Sequence, residues 1–261
     1  MATNRGAGDP LEAFRLAGTV LAVCAHPDDE SCGLGAVLAL AVSLGKHVSL
    51  LTCTPGEAGI TPTWRGSREG LAATREGELG RAAEILGIHR RIILEYPDGL
   101  LGETDPEALD RECLQIMHRW HPDVVLAYDP NGVTCHPDPV AVGEAMLRVW
   151  SRTPKPPALL FWTIPDHVAA AMQDSLAECY AGRPATELIR VDVGPFRERQ
   201  RWAVEAHASQ SCDLSPQFAL RLELCGPFDY LTSPQLWSGS PPGDPSSSEV
   251  RLTPPNVIKA T

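Results

Sequence analysis

The sequence contains no apolar run of the roughly 18 residues that crosses a bilayer, and its first ten residues, with Arg5 and Asp9 among them, lack an apolar segment. Neither a membrane span nor a secretory leader is therefore expected. Positive charge is short too. The formal net charge is −11, which excludes a sequence-blind grip on DNA or RNA, because that grip needs phosphates neutralised by basic side chains. There is no G-x-S-x-G elbow for serine hydrolysis. The glycines after the first apolar segment (Gly33, Gly35) lack the third member of a dinucleotide fingerprint. No internal repeat is present. Eight cysteines occur but none forms a C-x-x-C pair, and Cys24 and Cys53 sit in apolar segments. Buried free thiols in a reducing, cytoplasmic compartment are the expectation.

What is present is a chain of 261 residues, 43% hydrophobic, long enough to bury the core of one large α/β domain. Residues 19–25 (TVLAVCA) read as a strand covered on both faces. Residues 31–44 read as a helix stopped by Gly45, and 47–53 as a second strand, so a parallel βαβ unit follows. Further helices are predicted at 68–86, 105–120, 140–150 and 195–208, and strands at 91–95, 123–128, 158–163 and 188–193. This alternation predicts a Rossmann-like three-layer α/β sandwich with a mostly parallel sheet. The last 30 residues hold six prolines and six serines. One domain over 1–231 and an irregular tail over 232–261 are therefore expected.

In open α/β sheets ligands bind beyond the carboxyl ends of the strands. Two predicted strands end in polar clusters: His26-Pro27-Asp28-Asp29-Glu30, and Thr134-Cys135-His136-Pro137-Asp138-Pro139. Four ionisable groups in five residues are costly to bury unless paired or metal-bound. An imidazole and carboxylates from two strand ends can hold one divalent ion, and a spare carboxylate can act as general base. The plainer alternative makes Asp28, Asp29 and Glu30 the cap and first-turn charges of the next helix. It accounts for the acidity but not for the histidines.

The segment Ala25-His26-Pro27-Asp28-Asp29-Glu30 after an apolar strand resembles the signature of the LmbE/PIG-L-like zinc-dependent N-deacetylases. Gly56-Glu57-Ala58-Gly59, the Arg75/Glu78 pair, Tyr96-Pro97-Asp98-Gly99 and His207-Ala208-Ser209-Gln210 follow in the order and spacing of that family, over about residues 19–210. The resemblance implies removal of an acetyl or other acyl group from an N-acylated amino sugar or related small conjugate. It implies Zn2+ or another divalent metal on His26 and Asp29, Asp28 as general base, and His136, oriented by Asp138, as the group that stabilises the oxyanion. Arg75, Trp64 and Glu30 are candidates for substrate contact. For Arg75 the alternative is a structural pair with Glu78 three residues on. Trp64 either stacks on a sugar ring or pins its loop. The substrate is a small molecule, and an assembly of several copies is left open.

One position departs from the family. Where a His-Pro-Asp-His pattern would supply a third metal ligand, this chain reads His136-Pro137-Asp138-Pro139, and proline has no side-chain lone pair. Three readings stay open. A neighbour, His136 first and Cys135 second, fills the vacant place; or the metal is held weakly and the enzyme is slow; or the protein binds a sugar or other ligand without hydrolysing it.

Overall fold

A strand as apolar as TVLAVC needs cover on both faces, so it belongs at the centre of a sheet. In the structure, a computed structural model that describes residues 9–59, 64–237 and 257–258 (without the side chains of 212–215 and 257–258), this is its place. The chain runs α1 (Pro10–Leu16), β1 (Thr19–Cys24), α2 (Asp29–Cys32), α3 (Gly35–Ser43), β2 (His47–Thr52), α4 (Arg68–Leu86), β3 (Arg90–Ile93), α5 (Pro106–Trp120) and β4 (Val124–Tyr128). It continues through α6 (Pro137–Arg152), β5 (Ala158–Thr163), α7 (Asp166–Leu176), β6 (Ile189–Asp192), α8 (Arg197–Ala206), α9 (Ser211–Cys225), β7 (Phe228–Thr232) and β8 (Val257–Ile258).

The strand order is β3-β2-β1-β4-β5-β7-β6-β8. The pairs from β3 through β5 are parallel, and β7 runs antiparallel to both β5 and β6. The three-layer, mostly parallel architecture is thus as expected. Alternate residues of β1 serve opposite faces. Val20, Ala22 and Cys24 pack with Val37, Leu40 and Leu50 in one core, and Leu21 and Val23 pack with Leu109, Val142 and Ala145 in the other. The order reverses between β1 and β4, which opens a crevice at their carboxyl ends, the topological switch point where such sheets take ligands.

Three expectations are corrected here. The helix expected over 31–44 is two helices, α2 and α3, parted at Gly33, where an added Cβ would lie 2.3 Å from the Tyr128 hydroxyl. The boundary expected at 231 falls short of the packed chain. Thr232 and Ser233 are fully buried, Trp237 stacks on Phe161, and Val257–Ile258 adds to β6; the rest of the expected tail lies outside the described residues. Not all cysteines are free, because Cys135 and Cys179 form a disulfide with Cα atoms 5.8 Å apart. That removes Cys135 from the candidate ligands and weakens the thiol argument for a reducing compartment. Cys24, Cys53, Cys113 and Cys225 are buried free thiols and Cys32 a partly buried one. No helix among the described residues is long and apolar enough to cross a membrane.

At the opposite rim, Asp123 joins β1 to β4. Its Oδ2 accepts from the amides of Gly18 (2.8 Å) and Thr19 (2.9 Å) and from the Thr19 hydroxyl (2.9 Å). Partial burial pushes the carboxyl up, but these donors outweigh it and hold it below 3.8. Asp123→Ala is expected to cost about 1–2 kcal/mol at neutral pH. A depressed carboxyl stabilises above its unfolded pKa and loses that contribution as pH falls through its folded one. The gap between variant and parent in urea denaturation should therefore close below about pH 4.

Candidate functional site

The turn after β1 is built around buried carboxylates. Asp29 folds back so that its Oδ2 accepts from the amides of Ala25 (3.0 Å) and His26 (2.9 Å). Asp28 stands at the cap position of α2, yet its side chain caps nothing, and its φ is 125°. A non-glycine residue there is strained, and such strain persists only where neighbours over-determine it. Two neighbours do so. Glu30 Oε2 accepts from the Asp28 amide at 2.9 Å, and Arg75 Nη2 donates to Asp28 Oδ2 at 2.8 Å. The cap explanation of the acidic run therefore fails for Asp28.

Glu30, expected to touch substrate, is engaged inside the protein. It is fully buried, and its other oxygen takes the Ser31 hydroxyl and His207 Nε2, the latter at 2.8 Å. Burial raises the Glu30 carboxyl, but the charge and hydrogen bond of His207 hold it below 4.5. Burial likewise lowers His207, and Glu30 more than reverses this, so its pKa is raised above 6.5.

Arg75, on α4, is 3% exposed and is not paired with Glu78. It donates to the carbonyls of Gly56 (2.8 Å) and Pro27 as well as to Asp28. Glu78 instead accepts from the Ser209 amide (2.8 Å) and hydroxyl (2.7 Å). One face of α4 thus ties the first cluster to the His207–Gln210 segment. Gly56 has φ +75°, and a Cβ there would meet the Arg75 guanidinium at 2.6 Å. Gly56→Val is expected to unseat Arg75 and lower turnover about tenfold or more, as small misplacements near a reacting centre do. A steady-state comparison on folded protein checks this.

His26 is the hub. Its Nε2 lies 3.0 Å from both Asp98 Oδ1 and Asp138 Oδ2, and its Nδ1 lies 3.9 Å from Asp29 Oδ2. Asp98 also accepts from the Ala58 amide (2.9 Å), and Asp138 from the amides of Gly99 (2.7 Å) and Leu101 (2.9 Å). Burial lowers the His26 pKa, but the hydrogen bonds to Asp138 and Asp98 outweigh it and raise it to about 10. Three carboxylates gathered on one imidazole demand positive charge in their midst. A divalent ion with nitrogen and oxygen donors supplies it as well as a proton does, so the donor set fits such an ion.

His136 lies beside this hub, its ring 5.0 Å from that of His26 and edge-on to it. Ligand atoms of His26, His136 and Asp138 lie within 4.8 Å of one another. The expected ligand set had Asp29 where this cluster has Asp138. The orientation of His136 also differs in detail from the expectation. Its Nδ1 accepts from the Asp138 backbone amide at 3.2 Å, while the Asp138 carboxylate serves His26. An amide can only donate, so in the neutral ring the proton sits on Nε2. That tautomer makes His136 a hydrogen-bond donor and leaves it no Nε2 lone pair for a metal.

Asp28 is partly buried beside Asp29. Burial pushes its carboxyl up, Arg75 pulls it down and Asp29 pushes it up again, leaving it at about 6. A carboxylate with that affinity is suited to take and return a proton near neutral pH. Trp64 is a loop anchor: its Nε1 donates to the Ser67 carbonyl at 3.1 Å, and its ring lies against Gly66 and Gly70 at the start of α4. Asp98 was missed as a site residue by sequence reasoning; the available signal was its place just beyond a strand on the same rim. Pro139 is the third residue of α6 and buried. In a first turn the lost amide costs no helical hydrogen bond, so proline is tolerated there.

Among proteins of known activity, the 1D-myo-inositol 2-acetamido-2-deoxy-alpha-D-glucopyranoside deacetylase of Thermobifida fusca is 30% identical over 247 residues, 77% of this chain and 86% of that protein. The N,N'-diacetylchitobiose deacetylase of Pyrococcus horikoshii shares the fold, with TM-score 0.65, 23% identity, and 86% of this chain and 85% of that one covered. So does GalB, the 4-carboxy-2-hydroxymuconate hydratase of Pseudomonas putida KT2440, with TM-score 0.60, 18% identity and coverage of 90% and 99%. Fold alone therefore does not decide the reaction. The family described as PIG-L, GlcNAc-PI de-N-acetylase, matches residues 21–150, a span holding both strand-end clusters, and with the Thermobifida relative it places the chain in the PIG-L (LmbE-like) family.

Proposed function

We propose that this protein is a metal-dependent amidohydrolase that removes the acyl group from an N-acylated amino sugar or a related small conjugate. The observation that carries the reading is the pairing, at the β1–β4 switch point, of a cation-demanding hub on His26 with the separate, strained and partly buried carboxyl of Asp28. The deacetylase activity named for the Thermobifida relative supports it.

His26 and Asp138, with Asp98 in reach, would hold the ion, Asp29 lying instead by the other ring nitrogen, and Asp138 would answer the loss of a ligand at Pro139. Zinc is the proposed metal, on the imidazole and carboxylate donors. A divalent ion held there would polarise the amide carbonyl and acidify a water. Asp28 takes the proton from the attacking water as the new C–O bond forms. It then delivers that proton to the departing nitrogen as the C–N bond breaks, so the products are a carboxylic acid and a free amine. His136 Nε2–H donates to the oxygen that gains negative charge. Arg75 holds the Asp28 carboxylate in line.

The test is release of acetate from N-acetylglucosamine derivatives by zinc-loaded protein, with loss of that release after chelation and recovery on adding metal. Absence of product from folded, metal-loaded protein would sink the reading. Saturable, chelator-indifferent sugar binding without product would then favour a ligand-binding protein instead. Pro139→His is expected to raise metal affinity about tenfold or more, read by competition with a chromogenic chelator.

A further inference from the structure

Beside the carboxylate cluster lies a cavity with different chemistry. It has a volume of about 100 Å³ and begins at Asp28 and Asp29. Beyond them its walls are Val133, Trp162, Ile164, Met172, Tyr180 and Phe218, each at most 9% exposed. Arg75, Asp98 and His136 are not among the residues that line it. The one guanidinium that does, Arg221, is occupied within the fold by Asp229 at 3.0 Å and by the Cys32 carbonyl, so it is not poised for an anion. Besides two tyrosines its polar lining is sparse, the side chains of Thr134 and Gln217 and the unpaired Nε1 of Trp162, so a sugar ring placed here would bury more hydroxyls than partners, at a cost that an alkyl chain avoids.

The far wall is fastened. The Cys135–Cys179 disulfide, the Ala181 amide on the Val133 carbonyl (2.7 Å) and the Arg183–Asp129 pair (2.8 Å) join the segment after α7 to the loop after β4. The cavity is therefore preformed, which spares a ligand the cost of ordering it.

We propose that this cavity receives the acyl chain of the scissile amide, and that the preferred acyl group is a linear chain of about three to five carbons rather than acetyl. This deepens the hydrolase reading and rests on it. Asp28 and Asp29 flank the reacting carbonyl. The charged and imidazole groups Arg75, Asp98 and His136 stand off the cavity, so its mainly apolar side suits the carbonyl substituent. The size sets the class. The volume is smaller than the ~150 Å³ cavity known to hold benzene, which suits a short chain over a ring. Hydrolysis would release the corresponding short-chain acid and the free amino sugar.

The test is a chain-length series on the zinc-loaded full chain, with N-acetyl-, N-propionyl-, N-butyryl-, N-pentanoyl- and N-octanoylglucosamine. The expected kcat/KM rises roughly fourfold per added methylene up to four or five carbons, then falls at octanoyl. Acetyl equal to or better than butyryl would overturn the proposal. So would a gain confined to N-acetylglucosaminides carrying a butyl aglycone. If no amide is cleaved, calorimetric titration with N-butyryl- and N-acetylglucosamine decides separately. Butyryl about tenfold tighter keeps the pocket while the hydrolase reading fails, and equal affinities overturn the pocket. Met172→Trp fills the cavity and is expected to cut the butyryl-to-acetyl ratio about tenfold. If that variant fails a thermal-melt check of folding, the chain-length series on the parent carries the decision.

Discussion

Asp28→Asn is expected to lower kcat/KM by about 10²- to 10⁴-fold, the usual worth of a positioned general base. The amide keeps an oxygen for the Arg75 Nη2 now 2.8 Å from the carboxylate, so the turn should hold its shape. What disappears is the ability to accept a proton. The pH profile gives a second readout. The Asp28 carboxyl lies at about 6, raised by burial against the pull of Arg75. The parent should gain activity as pH rises through that value, and the residual activity of the variant should lack this limb. A variant within tenfold of the parent, or one with the same acid limb, would refute Asp28 as the base.

His207→Ala should give the largest loss of stability, about 3–5 kcal/mol, because it strands Glu30 as a buried carboxylate without its counter-charge. Neither side chain of this pair is exposed, and their atoms lie 2.8 Å apart. The sign follows from both partners. Glu30 is depressed below 4.5, so its contribution is present above that value and is lost as pH falls through the folded pKa. His207 is raised above 6.5, so its contribution is full below 6.5 and is lost as pH rises through its folded pKa. The pair should therefore stabilise most between about pH 4.5 and 6.5. Urea denaturation of the parent, both single variants and the His207→Ala/Glu30→Gln double variant checks this. Additive single effects would show that the pair is not coupled. The same change reaches the site, because Glu30 Oε2 holds the Asp28 amide.

Much of the frame was legible because it rests on local rules. Continuous apolar runs marked β1, β2, β4 and β5, whose observed ends differ from the expected ones by no more than a residue. Ser67 and Gly87 cap α4 by a side-chain bond and a left-handed turn, and both signals act within one helical turn. The helices α1, α7 and α9 and the strand β7 were not foreseen. α7 offers only Val168, Ala169 and Met172 as a buried stripe, and α9 carries Pro216 in its interior, a residue that argues against helix wherever tertiary packing does not override it. Of these, α7 through Met172 and α9 through Phe218 help to wall the apolar cavity, so its existence was invisible in the sequence.

The sequence by itself determined which chemistry stands at the strand ends. His26, Asp28, Asp29, His136 and Asp138 follow apolar strands, and polar groups at that rim are where an α/β sheet meets its ligand. The tertiary structure decided who partners whom. By spacing, Arg75 and Glu78 are neighbours on one helix face. Packing sent the guanidinium to Asp28 and the carboxylate to Ser209. Glu30 went to His207 across 177 positions, Asp98 arrived at His26 from β3's loop, and Cys135 left the metal question for a disulfide with Cys179. The physical reason is common to all four. A buried charge or thiol takes the partner that the closed interior presents, because water is no longer there to serve as one.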